Sequence, residues 1–299
     1  MTEITLDSFI CYNWMPLFAD HAIDFPHEFY HSIDVTRLHE HKSFTPTDVN
    51  DGDVIFVKTD FIYKGQFQKH ILPHIKNKFV LVSGGSSYHI GSNHDVSYQQ
   101  IIKNKNLIAW FCTNPPDFSS EKVVPLPIGF EERERAGGDQ KSILQHWNSS
   151  TKFHGKKNKI LLPYHTFDTN PERQMLFERL SRLPFVDIQL EKKSWSDYMS
   201  LVAEYKFTIC LEGSGPDVHR NYECLLVGSV PINVKNTIER LFAYHSLPGV
   251  FIDSWDKLKF ENIEKLQYNF DNVEKFMKIR YHNDLIIEKS GKQSVYKTP

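Results

Sequence analysis

The stretch from Lys206 to Asn233, KFTICLEGSGPDVHRNYECLLVGSVPIN, constrains the fold more than any other part of the chain. The apolar run Phe207 to Leu211 predicts a buried strand. Glu212 to Pro216 is a polar glycine turn. A helix from about Asp217 to Val227 follows, then a second strand from Val230 to Val234. That order predicts a βαβ unit on a parallel sheet, whose ligands bind beyond the carboxyl ends of the strands. Gly213 and Gly215 carry no Cβ, so a ligand can come close to the backbone there. The helix N-terminus offers unpaired N–H groups and a positive dipole end, with Asp217 as the expected N-cap. His219, Arg220 and Glu223 follow within two turns, and Glu212 lies in the turn itself. A phosphate seat, a cation and two carboxylates suit a nucleotide with ribose hydroxyls and a diphosphate.

The rest of the chain repeats this alternation. Asp53 to Asp60, Phe79 to Ser83, Leu107 to Cys112 and Val123 to Leu126 read as strands, with a helix from Lys64 to Ile75 after the first. From Glu131 to Asn158 the sequence turns polar, with one helix at Ser142 to Trp147, and this is the expected linker. A second α/β unit then starts at Lys159 to Leu162. It continues through a helix from Pro171, a strand Val186 to Leu190, a helix Ser196 to Ala203 and a late strand Val250 to Ile252. The expected division is 1–150, 151–275 and a C-terminal helix, 276–299, packing back on the first lobe.

Composition narrows the function. The chain has 299 residues, enough for two domains, and a net charge of −2, which argues against a general nucleic-acid binder. Its four cysteines show no C-x-x-C pair and read as free thiols of a reducing compartment. No signal peptide or transmembrane segment is evident, so a soluble, cytoplasmic protein is expected.

The residues Cys210, Glu212-Gly213, Gly215-Pro216, His219-Arg220, Glu223, Leu225, Gly228 and Pro231-Ile232 resemble the donor-site signature of exostosin-like glycosyltransferases. Soluble, single-module members of this kind occur in large DNA viruses of algae and in bacteria, and the chain is expected to belong with them. The resemblance implies a GT-B-like α/β fold, with two Rossmann-type lobes and the active site in the cleft between them. It also implies a UDP-linked sugar donor and no metal or other cofactor.

Each candidate residue carries two readings. Arg220 is expected to neutralise the donor diphosphate, helped by the backbone N–H groups after Gly213, rather than to sit on an exposed helix face. Glu223 is expected to take the ribose hydroxyls, the alternative being a helix contact with His219 four residues before it. Glu212 either touches the sugar or ribose or pairs with Arg220. His219 packs, caps or catalyses. In related enzymes the stretch matching His165 and Thr166, with an arginine in the next helix, here Arg173, faces the diphosphate. Trp195 borders the base or packs in the core.

The acceptor side falls to the first lobe. Inverting sugar transfer needs a general base, and Asp60 or His89 is the candidate. Resembling sequences often carry aspartate where Ser87 stands, so this chain departs from the family there. Ser87 and Asn114 are the other acceptor-side candidates, and Asn114 and Gly129 would shape the cleft floor. The expectation is therefore an inverting glycosyltransferase that moves a hexose, or a pentose such as xylose, to a glycan hydroxyl. The rivals are a nucleotide-sugar epimerase or hydrolase on the same fold, and a glycan-binding scaffold with a degenerate site.

Overall fold

The computed structural model describes residues 4–12, 14–23, 45–90, 97–117, 120–132, 134–149 and 153–292. In chain order the elements begin with β1 (His21–Ala22), β2 (Asp53–Lys58), α1 (Thr59–Tyr63), α2 (Gln66–His70), β3 (Phe79–Gly84), α3 (Ser97–Lys103), β4 (Leu107–Cys112) and β5 (Val123–Pro125). Next come α4 (Gln140–Ser149), β6 (Lys157–Leu162), α5 (Glu172–Leu180), β7 (Val186–Ile188), α6 (Trp195–Val202), β8 (Tyr205–Ile209) and α7 (His219–Leu226). The chain ends with β9 (Val230–Val234), α8 (Thr237–His245), β10 (Val250–Ile252), α9 (Phe260–Ile263), α10 (Val273–Phe276) and α11 (Ile279–Ser290). Two parallel five-stranded sheets result, one in each of two α/β units, as the two Rossmann-type lobes of a GT-B-like chain require.

The first unit holds residues 3–128 and 278–299, the second residues 129–277. The sequence placed the division near residue 150. The structure gives α4 to the second unit because it packs on α6 and α7.

In the first unit the strand order is β1-β2-β3-β4-β5. Every crossover therefore advances the same way, and right-handed crossovers put α1, α2 and α3 on one face. These helices pack on one another and against β2 and β4. The other face needs a separate cover, because β2, β3 and all but one residue of β4 are buried. The C-terminal helix α11 supplies it, lying against β2, β3 and β4 with Ile279 and Ile286 buried. The helix expected over Lys64 to Ile75 is broken. Gly65 takes a left-handed conformation (φ 71°), which separates α1 from α2, and a 3-10 turn at Leu72–His74 accommodates Pro73. Thr59 and Asp60 open α1 rather than closing β2.

In the second unit the order is β10-β9-β8-β6-β7. The chain winds outward from β6 to β7, then returns past β6 to β8 and continues the other way. The direction reverses between β6 and β8, and such a switch point opens a crevice at the carboxyl ends of the strands. Alternate strand residues face opposite ways. Ile160, Leu162, Phe207, Ile209, Leu211, Val230, Ile232 and Val250 join one core cluster with Phe177 and Leu180 of α5 and with Trp255, Leu258 and Ile263. Cys210 faces the other side, where its Sγ lies 3.8 Å from Cys224 Sγ of α7. Both thiols are free and buried, and burial pushes the Cys210 thiol well up, so it stays protonated. Residues 255–292 are only partly helical, as non-helical residues separate α9, α10 and α11. Among the described residues no helix is long and apolar enough to cross a membrane.

Candidate functional site

The loops that leave β6 and β8 flank the switch point, and two arginines tie them together. Arg173, in the first turn of α5, donates from Nε to the Glu212 carbonyl (2.7 Å), and from Nη2 to the Leu211 carbonyl (3.0 Å). Its Nη1 donates to the Thr166 carbonyl (3.1 Å) and to Thr169 Oγ1 (3.0 Å). Four of its five N–H groups are thus committed to the chain's own oxygens. A Cβ on Gly213 would stand 3.2 Å from Arg173 Nη2, so this glycine makes room for a side chain of the same unit. Arg173 is only 9% exposed, and burial together with the nearby Arg220 charge pushes it down to about 10. It remains a cation at neutral pH.

Arg220 lies in the first turn of α7. It donates from Nε to the Tyr198 hydroxyl (3.0 Å), from Nη2 to the Tyr164 carbonyl (2.9 Å) and from Nη1 to His165 Nε2. The His165 Nδ1–H donates to the Pro163 carbonyl at 2.7 Å, which leaves Nε2 as the acceptor. Burial, then the charges of Arg220 and Arg173, push His165 well below the usual imidazole range, so it is neutral and its tautomer is fixed. Burial also works against the charge on Arg220. The Tyr198 oxygen and the Glu223 carboxylate outweigh it and hold the guanidinium above its ordinary value. Three of its five donors are used, each on a neutral acceptor.

Glu223 follows Arg220 by three residues and shares its helix face. Its Oε1 accepts from Trp195 Nε1 at 2.9 Å, and the residue is 7% exposed. Helix α6 therefore steadies both α7 groups through two residues three apart, with Tyr198 holding Arg220 and Trp195 holding Glu223. The edge of His146 of α4 meets the Trp195 ring at 5.3 Å. A Cβ on Gly137 would stand 3.1 Å from Trp195 Nε1 and 2.8 Å from Glu131 Oε2, so Gly137 lies close against the same indole.

Other candidates have different neighbours from those expected. Glu212 Oε1 accepts from Asn236 Nδ2 at 2.6 Å, and Asn236 Oδ1 in turn caps α8 through the Ile238 N–H. The Glu212 carboxylate makes no ion pair with Arg220. The His219 Nδ1–H donates to the Gly129 carbonyl at 2.7 Å, a packing role. The Gly213 N–H donates to the Gly215 carbonyl (3.2 Å), inside the turn. Asp217 does not cap α7. The helix starts at His219, after Val218 in the N-cap position, with no side-chain cap. The Asp217 oxygens instead accept from Asn221 Nδ2 (3.1 Å) and from the Tyr222 hydroxyl. Two side-chain donors beside a 5% exposed carboxylate displaced the local capping bond.

In the first unit Asp60 is buried, and its Oδ2 faces Lys58 Nζ at 3.4 Å. His89 pairs with Asp117 at 3.2 Å. Asn114, which takes a left-handed conformation (φ 45°), approaches the Ser87 carbonyl with Nδ2 at 3.5 Å. The structure brings His165, Thr166, Arg173, Glu212, Gly213, Gly215 and Arg220 into one cluster, with Glu223 one helical turn on. Asp60 lies in the first turn of α1, directly after β2, while Ser87, His89 and Asn114 lie in the loops that follow β3 and β4. Among the described residues no three His, Cys, Asp or Glu side chains gather as a metal site. Tyr198 and Asn236 escaped the sequence reading. The one signal for Tyr198 was its spacing from Trp195, which places both on one face of a helix.

No family model matches this chain, and no curated protein does. Among solved structures, a GtfA/B complex is similar with a TM-score of 0.39 and 9% identity, over 82% of this chain and 58% of that one. The pneumococcal O-GlcNAc transferase GtfA, in complex with UDP and GlcNAc, is similar with a TM-score of 0.29 and 9% identity, over 81% of this chain and 54% of that one. This chain therefore spans a little over half the length of each, and likeness at this level carries no argument about activity.

Proposed function

We propose that the second unit binds a nucleotide-diphosphate sugar at the β6/β8 switch point. On this reading the chain is a metal-independent inverting glycosyltransferase of exostosin-like type. The observation that carries the proposal is the pair of guanidinium groups at the carboxyl ends of these strands. Both are charged, both are directed at neutral acceptors, and Arg220 keeps two N–H groups uncommitted among the described residues. Two like charges set together in a low-dielectric crevice favour an anion. Arg173 shapes the cradle with its committed donors, and Arg220 meets the diphosphate. Glu223, with Oε2 still to be matched, takes the ribose hydroxyls. The UDP preference and the family assignment rest on the residue pattern between Cys210 and Ile232.

In the reaction so proposed, the bond from the anomeric carbon to the diphosphate oxygen breaks as an acceptor hydroxyl oxygen attacks from the opposite side. The hydroxyl proton passes to a general base. The departing diphosphate keeps the bonding electrons, and Arg220 stabilises its charge.

A thermal-shift panel of UDP, GDP, CMP and ADP tests the reading, since a ligand that binds the folded state raises its melting temperature. UDP is expected to shift the protein, and Arg220→Ala and Glu223→Gln to reduce that shift. A well-folded protein that responds to none of the four nucleotides would overturn the proposal.

A further inference from the structure

The residues that open the second unit run beside the helix face that carries His219 and Glu223. The His219 Nδ1–H donates to the Gly129 carbonyl at 2.7 Å, and Glu223 lies four residues further along the same face. Two residues after Gly129 the chain carries Glu131, in the same unit. Contacts around Gly137 place its carboxylate. A Cβ at Gly137 would be 2.8 Å from Glu131 Oε2 and 3.1 Å from Trp195 Nε1, and that nitrogen is 2.9 Å from Glu223 Oε1. Three short steps around one indole thus join the two carboxylates. A Cβ on Gly138 would overlap the Glu131 and Glu132 carbonyl groups, so the backbone at Glu131 rests on that glycine.

Glu131 is half-buried, so a ligand can reach it, and no hydrogen bond or ion pair engages its side chain among the described residues. Glu223 places one oxygen on the Trp195 N–H and keeps the other unmatched. An indole has a single N–H, so Trp195 cannot serve the second carboxylate as well. Two neighbouring carboxylates are acceptors only, and they repel each other and any phosphate. They call for an uncharged ligand that brings two donors set close together. A ribose, with two adjacent hydroxyls, is such a ligand.

We propose that Glu131 is a second ribose-binding carboxylate of the nucleotide site. Glu223 and Glu131 accept one hydroxyl each, and the pair selects ribose over deoxyribose. Arg220 precedes Glu223 by one turn of α7, so the diphosphate and the ribose follow one another along the helix, in the order that a nucleoside diphosphate imposes. This role rests on the nucleotide reading above and adds what the site selects. Glu131 lies far outside the glycine-turn segment, 92 residues before Glu223.

Titration calorimetry on the full chain tests it, with UDP, GDP, CDP and ADP as probes and, for the tightest of them, its 2′-deoxy and 3′-deoxy forms. The parent should bind each deoxy form about tenfold more weakly, the effect of one lost hydrogen bond to a carboxylate. In Glu131→Ala the ribose form should weaken by about the same factor, and one of the two deoxy penalties should vanish while the other stays. Glu131→Gln keeps the shape and an acceptor oxygen, so its loss should be about two- to threefold. The side chain supports nothing else in its unit, so both variants should keep the parent's melting temperature. A lowered melting temperature in Glu131→Ala passes the test to Glu131→Gln, where one penalty must still shrink. Deoxy forms bound by the parent as tightly as the ribose form, or both penalties intact in the variants, would overturn the assignment and leave the Arg220 site standing. Binding that requires magnesium and is abolished by EDTA would overturn it too, by marking the carboxylate pair as a cation site. Binding of none of the four nucleotides would overturn the nucleotide reading and this role with it.

Discussion

Replacing Trp195 with phenylalanine removes the Nε1–H that Glu223 accepts at 2.9 Å and leaves most of the ring in place. A hydrogen bond between a neutral donor and an ionised carboxylate contributes roughly 1.5–3 kcal/mol when it is buried. Trp195 is only half-buried, so water can reach part of the gap, and the low end of that range, about 1.5 kcal/mol, is the better expectation. The substitution also trims the indole that meets His146 at 5.3 Å, so the single variant overstates the bond. A double-mutant cycle with Glu223→Leu, which removes the acceptor, isolates the pair, and a coupling of about 1.5 kcal/mol is expected. The assay is urea unfolding of the four proteins, followed by far-UV circular dichroism. With two α/β units, unfolding in two steps is anticipated, and the coupling belongs to the step that carries the second unit. Additive effects, with a coupling below about 0.3 kcal/mol, would refute the claim that Trp195 fixes Glu223.

Two further outcomes follow from the first unit. Burial alone would raise the Asp53 carboxyl, but bonds from Lys292, Asn50 and His21 outweigh it and hold the group at about 2. A carboxylate depressed on folding stabilises the protein fully above its unfolded value near 4, and loses that contribution as pH falls towards 2. Lys292→Met should therefore move the acid-unfolding midpoint to higher pH, read by circular dichroism, and an unmoved midpoint would reject the account. Gly65→Ala places its Cβ in open space but at φ 71°, so the cost is backbone strain alone, about 1 kcal/mol. Calorimetry should show a loss of roughly 2–4 °C, and an unchanged melting temperature would mean that the turn relaxes.

The strands were legible because a strand buried on both faces needs an uninterrupted apolar run, and DVIFVK and LIAWFC are such runs. The glycine turn before α7 was legible for the same local reason. Strand order was not, because nothing within β6 or β8 records that they become neighbours. The helix after β2 was misjudged because Gly65 reads as a tolerated helix glycine until its positive φ is known. Asp217 had the sequence position of a cap, but Asn221 and Tyr222 compete for its oxygens, and burial decides that competition. The anchors of Arg220 were hidden by distance along the chain. Tyr198 lies 22 residues before it and His165 55 residues before it, and local periodicity does not reach so far.

The one-way winding of the first sheet has a consequence for synthesis. Its five strands are complete by Pro125, yet the helix that covers their second face ends only at Ser290. At about 5–20 residues per second, a ribosome takes roughly 10–30 s to add the intervening chain. During that interval the second unit can fold, while the first keeps an apolar face open to water. Only the synthesis of α11 closes that face.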